Sequence, residues 1–140
     1  MTDVPPVRLS PSAPRSPVIV ADDDPALLQV IAEVLEEAGF DVLAVASGDE
    51  VLALLKSGVR PCLVLCDLVM PGLSVAELFA GLATDARSRH VPLVIMTGGR
   101  GEVLPQVAYV LQKPFTLTEL VDVVSHASAM RRSAQSDSDG

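Results

Sequence analysis

Residues 62–66 (C-L-V-L-C) are consecutively apolar and run straight into a single carboxylate, Asp67, after which the chain breaks at Pro71-Gly72. A run this short and this apolar suits a β-strand buried on both faces, because a buried helix needs about ten residues or more. Such a strand carries Asp67 to the end of a sheet. A carboxylate buried there without a partner is costly, so solvent or compensating groups must meet it.

The same rhythm recurs along the chain. Residues 1–16 hold prolines, serines and arginines with little apolar periodicity and are expected to form a disordered arm. Residues 18–21 (V-I-V-A) read as a first strand, followed at once by Asp22-Asp23-Asp24 and by Pro25, a residue suited to the first position of a helix. Leu27, Leu28, Ile31, Val34, Leu35 and Ala38 keep helical spacing, and Gly39 is a natural stop. A second strand is expected over 42–46. Ser47 with Glu50 then reads as a capping box opening a helix that Gly58 ends, and Ser74 with Glu77 as a second box after the Asp67 strand. Residues 93–96 read as a fourth strand closed by Thr97. Gly98, Gly99, Gly101 and Pro105 then follow within a few residues, too many breakers for a full helix, so a loop or a single turn is expected. Residues 107–111 read as a fifth strand ended by Lys113-Pro114, and Thr116 with Glu119 as a third capping box, its helix carrying Leu117, Leu120, Val121, Val124 and Ala127 inward. A domain over 17–131 and a disordered polar tail over 132–140 complete the division.

Apolar strands alternating with helices predict an α/β fold, a doubly wound parallel sheet with helices on both faces. The length of 140 residues suits one domain, and 49% apolar residues suit a packed core. The net charge of −8 gives nucleic-acid or membrane-surface binding no electrostatic help. No apolar run approaches the ~18 residues of a membrane span, and the first residues lack the apolar core of a signal peptide, so a cytoplasmic location is expected. Cys62 and Cys66 on one strand stand about 13 Å apart, beyond the ~7 Å reach of a disulfide, and are expected to be buried packing residues.

In open α/β sheets ligands bind beyond the carboxyl ends of the strands. Asp22, Asp23 and Asp24 end the first strand here, Asp67 the third, Thr97 the fourth and Lys113 the fifth, so all share one rim. Carboxylates crowded together stay ionised only if something positive joins them. Mg²⁺ takes oxygen ligands and commonly uses only one or two carboxylates beside phosphate oxygens, whereas no His or Cys cluster favours zinc. With Mg²⁺ and Lys113 neutralising an incoming phosphate, Asp67 is placed to act as a nucleophile and form an acyl phosphate, with the Thr97 hydroxyl on a phosphoryl oxygen.

V-I-V-A-D-D-D-P, C-D-L-V-M-P-G, V-I-M-T-G-G and L-Q-K-P-F, in this order and at strand ends, resemble the response-regulator receiver domains of two-component signalling over roughly residues 17–130. The resemblance implies a flavodoxin-like, five-stranded sheet of order 2-1-3-4-5. It implies that Asp67 is the phosphoacceptor, that Asp22, Asp23, Asp67 and the Val69 backbone carbonyl hold Mg²⁺, and that Thr97 and Lys113 contact the phosphoryl group. It also implies a cis peptide before Pro114. The expected donor is a histidine kinase or a histidine phosphotransfer protein. Output is expected through protein contacts rather than direct DNA or membrane binding, and the only chemistry expected is the domain's own phosphorylation and dephosphorylation.

Several positions depart from the family pattern. Val75 stands where the family usually has Gly. The interval from Thr97 to Lys113 is short by more than a helical turn, which predicts a shortened or missing fourth helix. The place of the family's switch aromatic is held by Val110, with Tyr109 one position earlier and, by strand alternation, facing the other way. Val69 and Gly99 occupy the two positions that tune dephosphorylation, and neither side chain can orient a water. Asp24 reads as a helix cap, and His90 and His126 as surface residues. The alternatives are a haloacid-dehalogenase-like phosphatase, which needs an acid where Val69 stands, and a receiver fold kept only as a binding module. A nucleotide or flavin module ranks last, because no glycine-rich loop follows the first strand.

Overall fold

Parallel pairing organises the chain. The computed structural model describes residues 16–70, 72–98 and 109–139. Five strands, β1 (Val18–Ala21), β2 (Val42–Val45), β3 (Leu63–Asp67), β4 (Leu93–Thr97) and β5 (Tyr109–Gln112), form one sheet in the order β2-β1-β3-β4-β5. All four pairings are parallel, with Ala21 opposite Cys66, Asp67 opposite Met96 and Thr97 opposite Gln112. Among the described residues the helices are α1 (Pro25–Glu37), α2 (Gly48–Lys56), α3 (Val75–Thr84) and α4 (Leu117–Asp139). The segment 99–108, where a loop is expected in place of a helix, lies outside the described residues, as do residues 1–15 of the expected arm.

Side chains alternating along the central strands build a core on each face. Val18, Val20, Leu63, Leu65, Val94 and Met96 point to one side and bury Ile31 and Leu35 of α1 with Leu120, Val124 and Ala127 of α4. Ile19, Val64, Leu93 and Ile95 point to the other and bury Val51 and Leu55 of α2 with Leu78 and Leu82 of α3. The free cysteines follow the same logic: Cys66 is buried in the α2/α3 core and Cys62 is half-buried against the other.

The three central strands are buried along their whole length, but the two outer ones are not. In β2 every residue keeps some exposure, and in β5 only Leu111 is buried. Both are edge strands, covered less completely than their neighbours, so β5 is not the continuous buried run that its apolar sequence suggests. It also ends at Gln112 rather than Leu111.

Helix boundaries follow the caps. Asp24 caps α1, its carboxylate accepting from the Ala26 and Leu27 N–H groups. Ser74 and Glu77 form the reciprocal capping box of α3, and Thr116 and Glu119 that of α4. At α2 the Ser47 hydroxyl accepts from Glu50 N–H, but the Glu50 carboxylate reaches back to Ala46 N–H at 2.8 Å, so the box is displaced by one residue. Val75 is simply the first residue of α3. At its far end α4 continues to Asp139, where a disordered tail is expected from residue 132. No Gly or Pro interrupts 132–139, so nothing in those residues forbids helix.

Candidate functional site

The alternation that builds the cores also aims the polar residues. Asp22 follows Val18 and Val20 in phase, Asp67 follows Leu63 and Leu65, and Lys113 follows Tyr109 and Leu111. All three leave the carboxyl ends of their strands on the side of the α1/α4 core. Because β1 and β3 are adjacent and in register, their two carboxylates arrive side by side.

Asp22, Asp23 and Asp67 each offer a carboxylate oxygen, and these oxygens lie within 4.8 Å of one another. Asp22 is 1% exposed, Asp67 is 9% exposed and Asp23 faces solvent. The Lys113 ammonium bridges the two buried acids, with Nζ donating to Asp22 Oδ2 at 3.0 Å and lying 3.5 Å from Asp67 Oδ1. Asp22 Oδ1 also accepts from the Asp24 N–H at 2.9 Å, which ties the acid pair to the start of α1. Thr97, 8% exposed, ends β4 on the same rim, and its carbonyl accepts from the Lys113 N–H at 2.7 Å. The Lys113–Pro114 peptide is cis.

These contacts leave the site short of positive charge. Burial first, and then the like charge of Asp22, hold the Asp67 carboxyl above its ordinary value, against the pull of Lys113 and of the Val69 backbone N–H. For Lys113, burial is the largest single influence and acts downward. The hydrogen bond and charge of Asp22 together with the charge of Asp67 outweigh it, and the net displacement is upward. Cys66, one residue before Asp67, is pushed up to about 12 by burial and then by the charges of Asp67 and Asp22, so its thiol is inert at neutral pH.

A cluster of hard oxygen donors whose charges are only partly neutralised suits a small divalent cation, and Mg²⁺ fits the donor set better than zinc, which would want His or Cys. The predicted site residues Asp22, Asp23, Asp67, Thr97 and Lys113 thus converge on one rim, whereas Gly99 lies outside the described residues. His90 and His126 are exposed, and His126 Nδ1 lies 2.8 Å from the Asp122 carbonyl on its own helix. Tyr109 packs into the α1/α4 core, while Val110, its neighbour on the strand, is 49% exposed. Val69 is 77% exposed beside the acids. Sequence reasoning missed the contact between the loop after Asp67 and the first turn of α2, where Gly48 and Gly72 allow close approach. The glycines themselves were the one visible signal.

Residues 18–125 match the response regulator receiver domain family. The chain is 35% identical over 83 residues to the DNA-binding response regulator MtrA of Mycolicibacterium smegmatis, which covers 59% of this chain and 35% of that protein. It is 36% identical over 129 residues to the transcriptional regulatory protein FixJ of Azorhizobium caulinodans, covering 85% of this chain and 57% of that one. The chain therefore spans only about a third of the length of the MtrA proteins it matches. Among solved structures, a response regulator receiver protein from Sinorhizobium medicae superposes with a TM-score of 0.73 at 27% identity, covering 84% of this chain and 97% of that one. Neither the phosphatase reading nor that of a bare binding module finds support in these relatives, and the position two residues after Asp67 holds no acid. In sequence, strand order and placement of its acid cluster, the chain belongs to the response regulator receiver domain family.

Proposed function

We propose that Asp67 is the phosphoacceptor. One of its oxygens attacks the phosphorus of a phosphohistidine on a histidine kinase or histidine phosphotransfer protein. The P–N bond breaks, the imidazole nitrogen leaves with the electron pair and takes up a proton, and an acyl phosphate remains on Asp67. The observation that carries this reading is the cluster of Asp22, Asp23 and Asp67 within 4.8 Å, bridged by Lys113 at the carboxyl rim of the sheet.

Asp22, Asp23, Asp67 and the Val69 backbone carbonyl would hold Mg²⁺, which when bound offsets the charge of the acids and of the transferring phosphoryl group. The chain's own residues supply the rest. Lys113, already 3.5 Å from Asp67, moves its ammonium onto a phosphoryl oxygen as negative charge builds there. The Thr97 hydroxyl donates to another phosphoryl oxygen. The buried wall of β1, β3 and β4 limits water on the inner side of the acid pair.

The domain promotes only its own phosphorylation and dephosphorylation, works in the cytoplasm and passes its signal on through contacts with a downstream protein rather than through DNA or membrane. Val69 and Gly99 hold the two positions that tune dephosphorylation in the family, and neither side chain can orient an attacking water, so the adduct persists when no phosphatase is present. Intact mass after incubation with Mg²⁺ and acetyl phosphate tests the reading. One labile phosphoryl adduct is expected in the wild type and none in Asp67→Asn or with a chelator. A wild type that stays unlabelled, or an adduct that survives Asp67→Asn, overturns it.

A further inference from the structure

The loop after Asp67 is anchored at both ends. At its start, the Leu68 N–H extends the β3–β4 ladder to the Met96 carbonyl at 2.8 Å, and Leu68 and Met70 pack on the α2/α3 core. At its end, Ser74 is held in the α3 capping box. Between these anchors the loop lies against the first turn of α2, and a glycine stands on each side of the contact. A Cβ on Gly48 would meet the Leu73 Cβ at 3.0 Å and the Leu73 carbonyl oxygen at 3.2 Å, and one on Gly72 would meet the Asp49 carboxylate at 2.7 Å. At Gly48 the atoms in the way belong to the loop's backbone and to a Cβ, not to the tip of a flexible side chain. Gly72 also has φ +90°, a conformation natural to glycine.

We propose that Gly48 is a positioning residue for the metal-binding loop: the bare surface it leaves at the start of α2 sets where Leu73 rests, and so where the Val69 carbonyl stands relative to Asp67. This rests on the reading of Asp67 and Val69 as members of the Mg²⁺ site. The Val69 backbone N–H acts on the Asp67 carboxyl strongly enough to oppose the rise of its value, so the peptide entering Val69 faces the site. With Leu68 fixed by the sheet and Ser74 by its cap, a push on Leu73 is directed back along the loop toward Val69. Glycine is a poor helix former, so the room comes at the expense of helix propensity in α2.

Mg²⁺ alone, titrated without phosphodonor and followed by the thermal midpoint, separates positioning from packing. Gly48→Ala is expected to keep a wild-type or higher midpoint in chelator, because Ala favours helix. Its Mg²⁺ dissociation constant is expected to rise about tenfold, at the low end of what loss of an outer-shell support costs a metal site. Gly81→Ala serves as control: it also lies where α2 meets α3, but its Cβ would meet only the flexible tip of Leu52, so wild-type Mg²⁺ affinity is expected. Wild-type affinity in Gly48→Ala overturns the proposal, whether or not its midpoint changes. Should that variant fail to fold, Leu73→Gly loosens the same contact without adding an atom, and wild-type affinity there overturns the proposal equally. A wild-type protein that shows no Mg²⁺ response contradicts the metal site itself, and is told apart because it appears before any variant is compared.

Discussion

Asp22 and Asp67 are the two acids that the sheet brings together with little water, and Lys113 is what makes their proximity tolerable. Lys113→Met would leave Asp22, at 1% exposure, with the Asp24 N–H as its hydrogen-bond donor among the described residues, and is expected to cost about 2 kcal/mol in the metal-free protein. Chemical denaturation checks this. The Asp67 carboxyl is raised, so the folded protein binds more protons there than the unfolded chain between the ordinary carboxylate value of about 4 and its raised one. Stability in chelator is therefore expected to fall as pH rises through that window, and Asp67→Asn is expected to remove this component and raise the midpoint at neutral pH. Lys113 runs in the same direction at higher pH: its folded value is raised too, so its stabilising contribution is complete below about 10.4 and is lost as pH climbs through the higher folded value. These residues were legible in the sequence because each ends an apolar strand. The Gly48–Leu73 contact was not, since a missing side chain gives no pattern and its partner lies far along the chain.

Helices announced themselves through their caps, and the structure grades those caps. Thr116 and Glu119 exchange two short hydrogen bonds, at 3.0 and 2.8 Å, so Thr116→Ala is expected to destabilise by about 1 kcal/mol. Ser47 makes a single bond of 3.3 Å to Glu50 N–H while the Glu50 side chain goes to Ala46, so Ser47→Ala is expected to cost less. Thermal midpoints of the two variants decide the order. The strands were legible at their centres and misjudged at the sheet's edges. An apolar run such as that in β5 looks the same whether one face or two are covered, and coverage is decided by neighbours that the local sequence does not name. The far end of α4 is a related case. Polar composition suggests a tail, but helix needs only residues that tolerate it, and the packing that anchors α4 comes from Leu120, Val124 and Ala127. A chain ending at Arg131 is expected to lose helical circular dichroism while keeping its thermal midpoint.

At the level of the whole domain, parallel topology directs every strand's carboxyl end to one rim, and three of the acids behind the net charge of −8 meet there with a single Lys. A cation that binds the folded state alone must therefore stabilise it. At a hundredfold excess over the dissociation constant, Mg²⁺ is expected to add about 2.7 kcal/mol to the wild type and far less to Asp22→Asn. A calorimetric scan with and without Mg²⁺ checks this, and added salt is expected to weaken the effect. Nothing about the rim required the family resemblance to be noticed. It required only that apolar runs be recognised as strands and that their last polar residues be followed to a common end.

The placement of Tyr109 has a practical corollary in optics. The chain has no tryptophan and this single tyrosine, whose half-buried ring packs against the α1/α4 core. Near-ultraviolet absorbance and intrinsic emission therefore watch the interior and are nearly blind to the acids at the rim, so ligand binding there is spectroscopically quiet. A tryptophan installed at position 69, where the present side chain stands 77% in solvent beside Asp67, would give the site a light of its own.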